Sequence, residues 1–170
     1  INYATKKFAS IYNKNLKRHG SKVFVTVVPD KGYYLPENAG YLTMDYEKLF
    51  STVAESMPYA QYIDLTGDLS LEDYYFTDTH WRQEAIVDAA GTLCEAMGVT
   101  APKMDDYSIV ALEKPFYGVY YGQAALPMEP ETLYILENEL LSQCVVTNFE
   151  TGKTTPVYDM DKLTSRDLYD

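Results

Sequence analysis

One segment near the start of the chain carries the strongest strand signal: Lys22-Val23-Phe24-Val25-Thr26-Val27-Val28. Its β-branched residues favour extended backbone. Within the run only Thr26 interrupts the apolar side chains, which is typical of a strand buried on both faces of a parallel sheet. Pro29 follows directly and predicts the end of the strand.

Two helical patterns flank this strand. Residues 1–18 place apolar side chains between lysines and end at Gly20, which predicts an amphipathic helix. Residues 45–57 repeat the helical spacing after a loop rich in Gly, Pro and Tyr. Asp45 or Thr43 can cap this second helix.

A second strand and a third helix complete the first part of the chain. Apolar and polar side chains alternate well enough over residues 59–65 to predict a strand. Residues 85–97 carry apolar side chains at helical spacing, and this pattern ends at Gly98. The resulting order, α-β-α-β-α, is typical of an α/β layered sheet. Right-handed crossovers would join its parallel strands.

The pattern changes after about residue 100. Short apolar runs alternate with turn signals and predict β-hairpins, apart from a short helical possibility at 136–142. We therefore divide the chain into an α/β core at 1–100 and a β-rich insertion or lobe at 101–170. The apolar runs are 108–112, 133–136 and 143–146, and the turn signals are Tyr117-Gly118, Tyr121-Gly122 and Thr151-Gly152-Lys153.

Length and charge exclude several classes of protein. The chain has 170 residues, which fits one domain or one domain with a small appendage. Its net charge of −11 argues against nucleic acid binding, which demands a basic surface. Residues 1–31 are nevertheless basic, with seven basic side chains against Asp30 alone, and we interpret them as a solvated helix face. No apolar stretch approaches the roughly 20 residues that span a bilayer.

The cysteines and tyrosines leave alternatives open. Cys94 and Cys144 do not form a disulfide framework or a zinc site, and we favour two buried thiols over a single bridge. The chain has 17 tyrosines, several of them adjacent in sequence. Their flat faces and hydroxyls suit stacking on sugars, although tyrosine is also common in strands and loops for structural reasons.

Of the two histidines, His80 is the stronger catalytic candidate. His19 ends the basic helix, where an imidazole favours the negative end of the helix dipole. His80 lies two residues after Asp78, and in an extended stretch residues i and i+2 point to the same side. An aspartate beside an imidazole can fix its tautomer and stabilise the imidazolium. The alternative is a structural histidine at a helix start, with Asp78 as its partner.

A longer segment around this pair carries a resemblance. Tyr75-Phe76-Thr77-Asp78-Thr79-His80-Trp81, followed by Glu84-Ala85, resembles the signature of the DHHW family. It is equally similar to the Thr-Asp-Thr-His-Trp motif of alginate O-acetyltransferase proteins. Residues 27–31, with Tyr33-Tyr34, resemble the strand-end Val-Pro-x-Lys segment that precedes the motif there, and residues 155–163 resemble the end of the β-rich region.

The resemblance implies a fold and an activity. The fold would be an SGNH-hydrolase-like three-layer α/β/α structure with a parallel sheet and a β-rich insertion. The activity would be O-acetyl transfer or deacetylation on a surface polysaccharide in a bacterial cell envelope or outside the cell, with a membrane anchor outside this chain. A serine would attack the acetyl ester, His80 would act as general base and Asp78 would hold the imidazole.

The same reading gives further expectations about ligands and partners. Lys31 and Asp30 end the first strand, where open α/β sheets bind ligands, although a solvated loop pair is the alternative. We expect Lys31, Tyr33, Tyr75 and Trp81 to contact a polysaccharide or acyl-sugar substrate. No metal or diffusible cofactor is expected, and a membrane acyltransferase partner would supply the acetyl group.

The chain departs from the family pattern in three places. Thr79 stands where the family name implies histidine, and Arg82 stands where a capping Asn or Thr often begins the next helix, so that Thr79 would supply the cap. The downstream Asp-Ser-Phe-Gly-like turn with the nucleophile does not occur, and no serine lies in a Gly-x-Ser-x-Gly elbow. We therefore expect a truncated portion of a longer protein or a degenerate homologue. A non-catalytic carbohydrate-binding or assembly module is the alternative function. The serines not expected to serve as the nucleophile are Ser21, Ser108, Ser142 and Ser165.

Overall fold

The strand predicted over 22–28 is present in a shortened form. A computed structural model describes residues 1–35, 40, 42–125 and 127–164 of this chain. In it β1 covers Phe24–Val25 and pairs in parallel with β2, Gln61–Tyr62. The strand is half-buried and Val28 is 43% exposed, so the prediction of a strand buried on both faces is wrong. Burial on both faces needs a larger sheet that is covered by helices on each side, whereas in the described residues this sheet has two strands.

Local signals place the helices of the first hundred residues well. α1 covers Asn2–Ile11 and continues through a π-helical turn, Tyr12–Leu16, and a 3-10 turn, Lys17–His19. It ends at Gly20, whose φ of 64° lies in the left-handed region, as the sequence predicts. A short helix, α2, covers Lys31–Tyr34 inside the stretch predicted as a loop.

The next two helices also follow the sequence. α3 covers Tyr46–Ser56, and the carboxylate of Asp45 caps it by accepting a hydrogen bond of 2.9 Å from Lys48 N. α4 covers Val87–Met97 and ends at Gly98 in the left-handed region. No side chain caps α4, so the prediction that Thr79 supplies its cap is wrong: the helix begins only after Ile86, seven residues further on.

The predicted β-hairpins after residue 100 are confirmed. β3, Ser108–Phe116, pairs antiparallel with β4, Glu131–Glu137, and the register shifts at a bulge in β3. β5, Val145–Thr147, pairs antiparallel with β6, Thr154–Pro156. The turn between them contains Gly152 at a φ of 70°.

Two short helices interrupt the hairpins. α6 covers Glu139–Gln143, close to the helical possibility at 136–142. α5 covers Val119–Ala124, so the turn predicted at Tyr121-Gly122 is wrong. The helix forms there because a long-range hydrogen bond supports its first turn: Tyr120 N donates to Thr77 O at 3.0 Å. The residues near Gly122 in the sequence cannot indicate this contact, because Thr77 lies far away along the chain.

The described residues divide into two compact units. The first contains Ile1–Tyr74 and Ile86–Pro102, and the second contains Tyr75–Ala85 and the described residues from Lys103 onward. The motif segment thus belongs with the β-rich region. The chain is a mixed α/β protein, and the parallel pairing seen in the described residues is β1 with β2 alone. A three-layer sheet and an SGNH core within 1–100 remain predictions.

Two further properties bear on the expectations. Both cysteines are free; Cys94 is half-buried, but Cys144 is exposed, so the prediction of two buried thiols is wrong for Cys144. Cys144 lies between α6 and β5, and all three residues of β5 are exposed. Within the described residues, no helix has the length and apolar character that crossing a membrane requires.

Candidate functional site

The motif residues 75–80 form a closed loop in the second unit. Tyr75 N donates to His80 O at 3.1 Å, and Asp78 N donates to Tyr75 O at 3.4 Å. Inside the loop Thr77 is completely buried and Asp78 is 4% exposed. The loop therefore turns its middle residues inward, although the sequence suggested an extended stretch there.

Asp78 and His80 meet within this loop. Asp78 Oδ1 lies 2.5 Å from His80 Nδ1 and also accepts a hydrogen bond of 2.9 Å from His80 N. Asp78 Oδ2 accepts a hydrogen bond of 2.9 Å from Val119 N at the start of α5. The predicted convergence of the two side chains is present, but a tight turn produces it, because the carboxylate binds the backbone two residues on.

The carboxylate of Asp78 is held in its ionised form. Burial raises the pKa of Asp78, but the backbone amides of Val119 and His80 and the side chain of His80 outweigh that effect and hold the pKa below its ordinary value. An ionised carboxylate is only an acceptor. Nδ1 of His80 must therefore carry the hydrogen that the two groups share.

The imidazole of His80 faces solvent. Its side chain is 77% exposed, whereas that of Asp78 is 6% exposed. Because Nδ1 donates to Asp78, the neutral ring keeps a free electron pair on Nε2. In the part of the chain that the structure describes, no side chain hydrogen-bonds to Nε2. Chemically, this is an oriented imidazole that can accept a proton from a molecule outside the loop.

Gly118 allows α5 to approach the motif loop. A Cβ at this position would overlap Thr77 O and would lie 2.5 Å from Asp78 Cβ. Only glycine therefore lets Val119 N reach the carboxylate. Sequence reasoning took Tyr117-Gly118 as a simple turn signal and missed Val119, which acts through its backbone amide and leaves no signature in its side chain.

The residues predicted to contact substrate lie in different environments. Tyr75 is 7% exposed, and its ring packs edge-on against Phe116 with centroids 5.0 Å apart. Burial, with a smaller contribution from Glu84, raises the pKa of Tyr75 to about 12. Trp81 is half-buried in the same unit. Tyr75 is thus a buried residue at the start of the loop, and Trp81 directly follows His80 in the sequence.

Lys31 and Tyr33 belong to the other compact unit. Lys31 begins α2, and Tyr33 is 37% exposed with its ring edge-on to Tyr34 at 4.9 Å and to Tyr46 at 5.4 Å. The structure therefore brings Asp78 and His80 together in the second unit, whereas Lys31 and Tyr33 belong to the first, where the ring of Tyr33 packs among other tyrosines.

Neither the serines nor a metal site adds to the pair in the described residues. Ser142 Oγ donates to Glu139 O at 2.7 Å, at the start of α6. Ser165 lies outside the described residues. Across the described ranges, no group of three His, Cys, Asp or Glu side chains is arranged to hold a metal ion.

Comparison with known proteins finds one informative structure. No family model and no curated protein matches this chain. Its structure is similar to the crystal structure of a protein from Eubacterium siraeum DSM 15702, with a TM-score of 0.64 and 25% sequence identity. That neighbour is a DHHW family protein. The match covers 79% of this chain and 48% of the DHHW protein, so the chain spans about half of its neighbour's length.

The DHHW neighbour supports the family resemblance seen in the motif residues 75–81. The likeness covers most of this chain. It does not extend to the SGNH-hydrolase and alginate O-acetyltransferase relations, which remain predictions from the motif.

Proposed function

We propose that the Asp78–His80 pair is the base and its orienting carboxylate in acyl transfer on the hydroxyl groups of a surface polysaccharide. The observation that carries this proposal is the contrast within the pair. A buried, ionised carboxylate binds Nδ1, while the ring that it holds is 77% exposed. A histidine with a purely structural role has no need to present an oriented Nε2 to solvent.

The proposed reaction begins with a hydroxyl group that attacks the carbonyl carbon of an acetyl ester. The hydroxyl proton passes to Nε2 of His80 as the new carbon–oxygen bond forms. Asp78 stabilises the resulting imidazolium through Nδ1. When the tetrahedral intermediate collapses, the bond to the leaving alcohol breaks and that alcohol takes the proton back from Nε2. Water or a sugar hydroxyl then resolves the acyl-enzyme by the same steps in reverse.

The attacking hydroxyl is proposed to belong to a serine outside the described residues. The DHHW resemblance of the motif supports this, because the family pattern places a serine downstream of the Asp-x-His element. The proposed setting is the bacterial cell envelope or the extracellular space. A membrane acyltransferase is the proposed donor of the acetyl group, and a polysaccharide or acyl-sugar is the proposed substrate.

A non-catalytic carbohydrate-binding or assembly module is the second candidate. It is favoured by one observation: among the described residues, no hydroxyl group donates to Nε2 of His80. In that case the Asp78–His80 pair would contact sugar hydroxyls by hydrogen bonding alone. The two candidates differ in whether the protein contains an activated serine.

Labelling of the full natural polypeptide with a fluorophosphonate probe, followed by peptide mass mapping, separates the two candidates. We expect one serine to react, with a rate that falls about a hundredfold or more in His80→Ala. Asp78→Asn should slow the reaction as well, because the ring loses its fixed tautomer. His19→Ala is the matched control, since it removes the other histidine and should react like the wild type.

Either result is decisive for the proposed chemistry. A single labelled serine whose reaction depends on His80 supports serine-type acyl transfer. Absence of label on the folded wild-type protein contradicts the enzyme and leaves the binding module as the better account. A labelled serine that is indifferent to His80→Ala contradicts the role given to the imidazole.

A further inference from the structure

Glu131 reaches the motif loop from a distant part of the sequence. It is the first residue of β4 and lies 54 positions after Thr77. Its Oε1 accepts a hydrogen bond of 2.7 Å from Phe76 N. Its Oε2 accepts two hydrogen bonds of 2.6 Å, one from Thr77 N and one from Thr77 Oγ1. One carboxylate therefore binds three donors of two consecutive residues in the loop.

Thr77 links Glu131 to α5 through hydrogen bonds to both. Its hydroxyl donates to Glu131 and accepts a hydrogen bond of 3.0 Å from Gly118 N. Its carbonyl accepts a hydrogen bond of 3.0 Å from Tyr120 N. Val119, between these two residues, donates to Asp78 Oδ2. Glu131 thus fixes the loop on one side of Asp78, and the first turn of α5 fixes it on the other.

The chemistry of the three hydrogen bonds requires a carboxylate. Hydrogen bonds to an ionised acceptor are shorter and about twice as strong as neutral ones. A glutamine would offer one carbonyl oxygen, and its NH₂ group would face either Phe76 N or the donors of Thr77, so at least one donor of the loop would lose its acceptor. Thr77 is completely buried, so water cannot easily replace a lost partner.

We propose that Glu131 is a positioning residue for the His80 base. By holding the backbone of Phe76 and Thr77, it sets the direction in which Asp78 leaves the main chain. That direction keeps Oδ1 on Nδ1 of His80 and leaves Nε2 open to solvent. The purpose assigned to this arrangement rests on the proposed function, but the arrangement can be tested without any assay of activity.

Nitrogen NMR of the imidazole rings reports the tautomer of each histidine directly. The chain has only two histidines, so the signals of His80 and His19 are easily assigned. In the wild type we expect neutral His80 to carry its hydrogen on Nδ1. In Glu131→Gln we expect the signals of the Nδ1–H tautomer to be replaced by those of the Nε2–H tautomer, which predominates in free imidazole side chains. His19, in the first unit, should not change.

Matched variants separate positioning from general damage. Glu137→Gln removes an exposed carboxylate from the other end of β4 and should leave the tautomer of His80 unchanged. Thr77→Val removes the hydroxyl at nearly constant shape but keeps both backbone hydrogen bonds to Glu131, so it should change the tautomer less than Glu131→Gln does. Thr77→Ser keeps the hydroxyl and should retain the wild-type tautomer.

Each outcome bears on the proposal. A folded Glu131→Gln protein whose His80 stays in the Nδ1–H tautomer would overturn it. Loss of the dispersed spectrum in Glu131→Gln would also overturn it, because Glu131 would then be needed for folding and not for positioning. A changed tautomer in a protein without an activated serine would support the role of Glu131 while contradicting the proposed acyl transfer.

Discussion

Asp30 in the first unit and Asp78 in the second make the same local turn. Each accepts a hydrogen bond on Oδ1 from the backbone two residues later, at 2.8 Å from Gly32 N and at 2.9 Å from His80 N. Such turns form because a short carboxylate can reach its own backbone. The local sequence rule therefore operates equally in both units.

The two aspartates differ in burial and in their further partners. Asp30 is exposed, caps α2 and accepts a hydrogen bond of 2.5 Å from the hydroxyl of Tyr46. Asp78 is buried, binds the ring of His80 and uses its second oxygen for Val119 N. The same turn thus forms a helix cap in one unit and an oriented imidazole in the other. What separates them is the long-range partner.

Each turn also has a glycine in close contact, and substitution at Gly118 should have the largest effect. A Cβ in Gly118→Ala would overlap the backbone of Thr77, which cannot move without breaking its hydrogen bonds. We expect the free energy of unfolding to fall by about 3 kcal/mol, measured by urea denaturation. Gly122→Ala, with open space around the new methyl group, is the control and should not destabilise the protein. Equal stability of the two variants would contradict the close approach of α5.

Removal of the two carboxylates should have unequal effects. Asp78→Asn should lower the free energy of unfolding by about 2 kcal/mol at neutral pH, because a buried amide replaces a charged acceptor. Asp30→Asn, at an exposed turn, should lower it by about 0.5 kcal/mol. Urea denaturation of both variants measures the difference. A larger effect at Asp30 would reverse the comparison.

The effect of Asp78→Asn should also depend on pH. The pKa of Asp78 is lowered in the folded protein, so its stabilisation is complete above the ordinary value of 3.8. That stabilisation is lost as the pH falls through the lowered pKa. Wild type and Asp78→Asn should therefore converge in stability at strongly acidic pH. A constant difference between them down to pH 2 would show that the charge of Asp78 contributes little.

The tyrosines near the two turns should make the protein sensitive to alkali. Burial, with a hydrogen bond to Asp30, raises the pKa of Tyr46 to about 12, and burial raises that of Tyr75 to a similar value. Their stabilisation is complete below the ordinary value of 10.0 and is lost as the pH rises toward 12. The thermal unfolding temperatures of Tyr46→Phe and Tyr75→Phe should therefore fall less steeply than that of the wild type as the pH rises through this range. Tyr3→Phe, at a side chain that is 79% exposed, is the control.

Gly32→Ala should have a much smaller effect on stability than Gly118→Ala. Its Cβ would overlap the hydroxyl of Tyr46, which lies at the far end of a side chain and can move aside. We expect the free energy of unfolding to fall by about 1 kcal/mol, the typical contribution of one hydrogen bond such as that between Tyr46 and Asp30. In the double variant with Tyr46→Phe, the substitution should add almost nothing to the effect of Tyr46→Phe. Full additivity would show that the close contact is not what Gly32→Ala disturbs.

Local signals were sufficient for several helix ends and for the two hairpins. Gly20 and Gly98 end helices in the left-handed region, Asp45 caps α3 and Gly152 lies in the β5–β6 turn. Each of these features depends on a few neighbouring residues, so a short window of sequence contains its cause. The strand at 22–28 was overestimated because burial on both faces depends on what packs against it.

The Asp78–His80 pair depends both on local sequence and on long-range tertiary contacts. The sequence alone identified the two residues and predicted that their side chains converge, but it did so from an extended stretch in which residues i and i+2 point to the same side. It did not predict the burial of Asp78, the closed loop or the contacts from Val119 and Glu131. Those partners lie 41 and 54 residues away along the chain and act through a backbone amide and a carboxylate. Only the folding of β4 and α5 against the loop brings them within hydrogen-bonding distance of it.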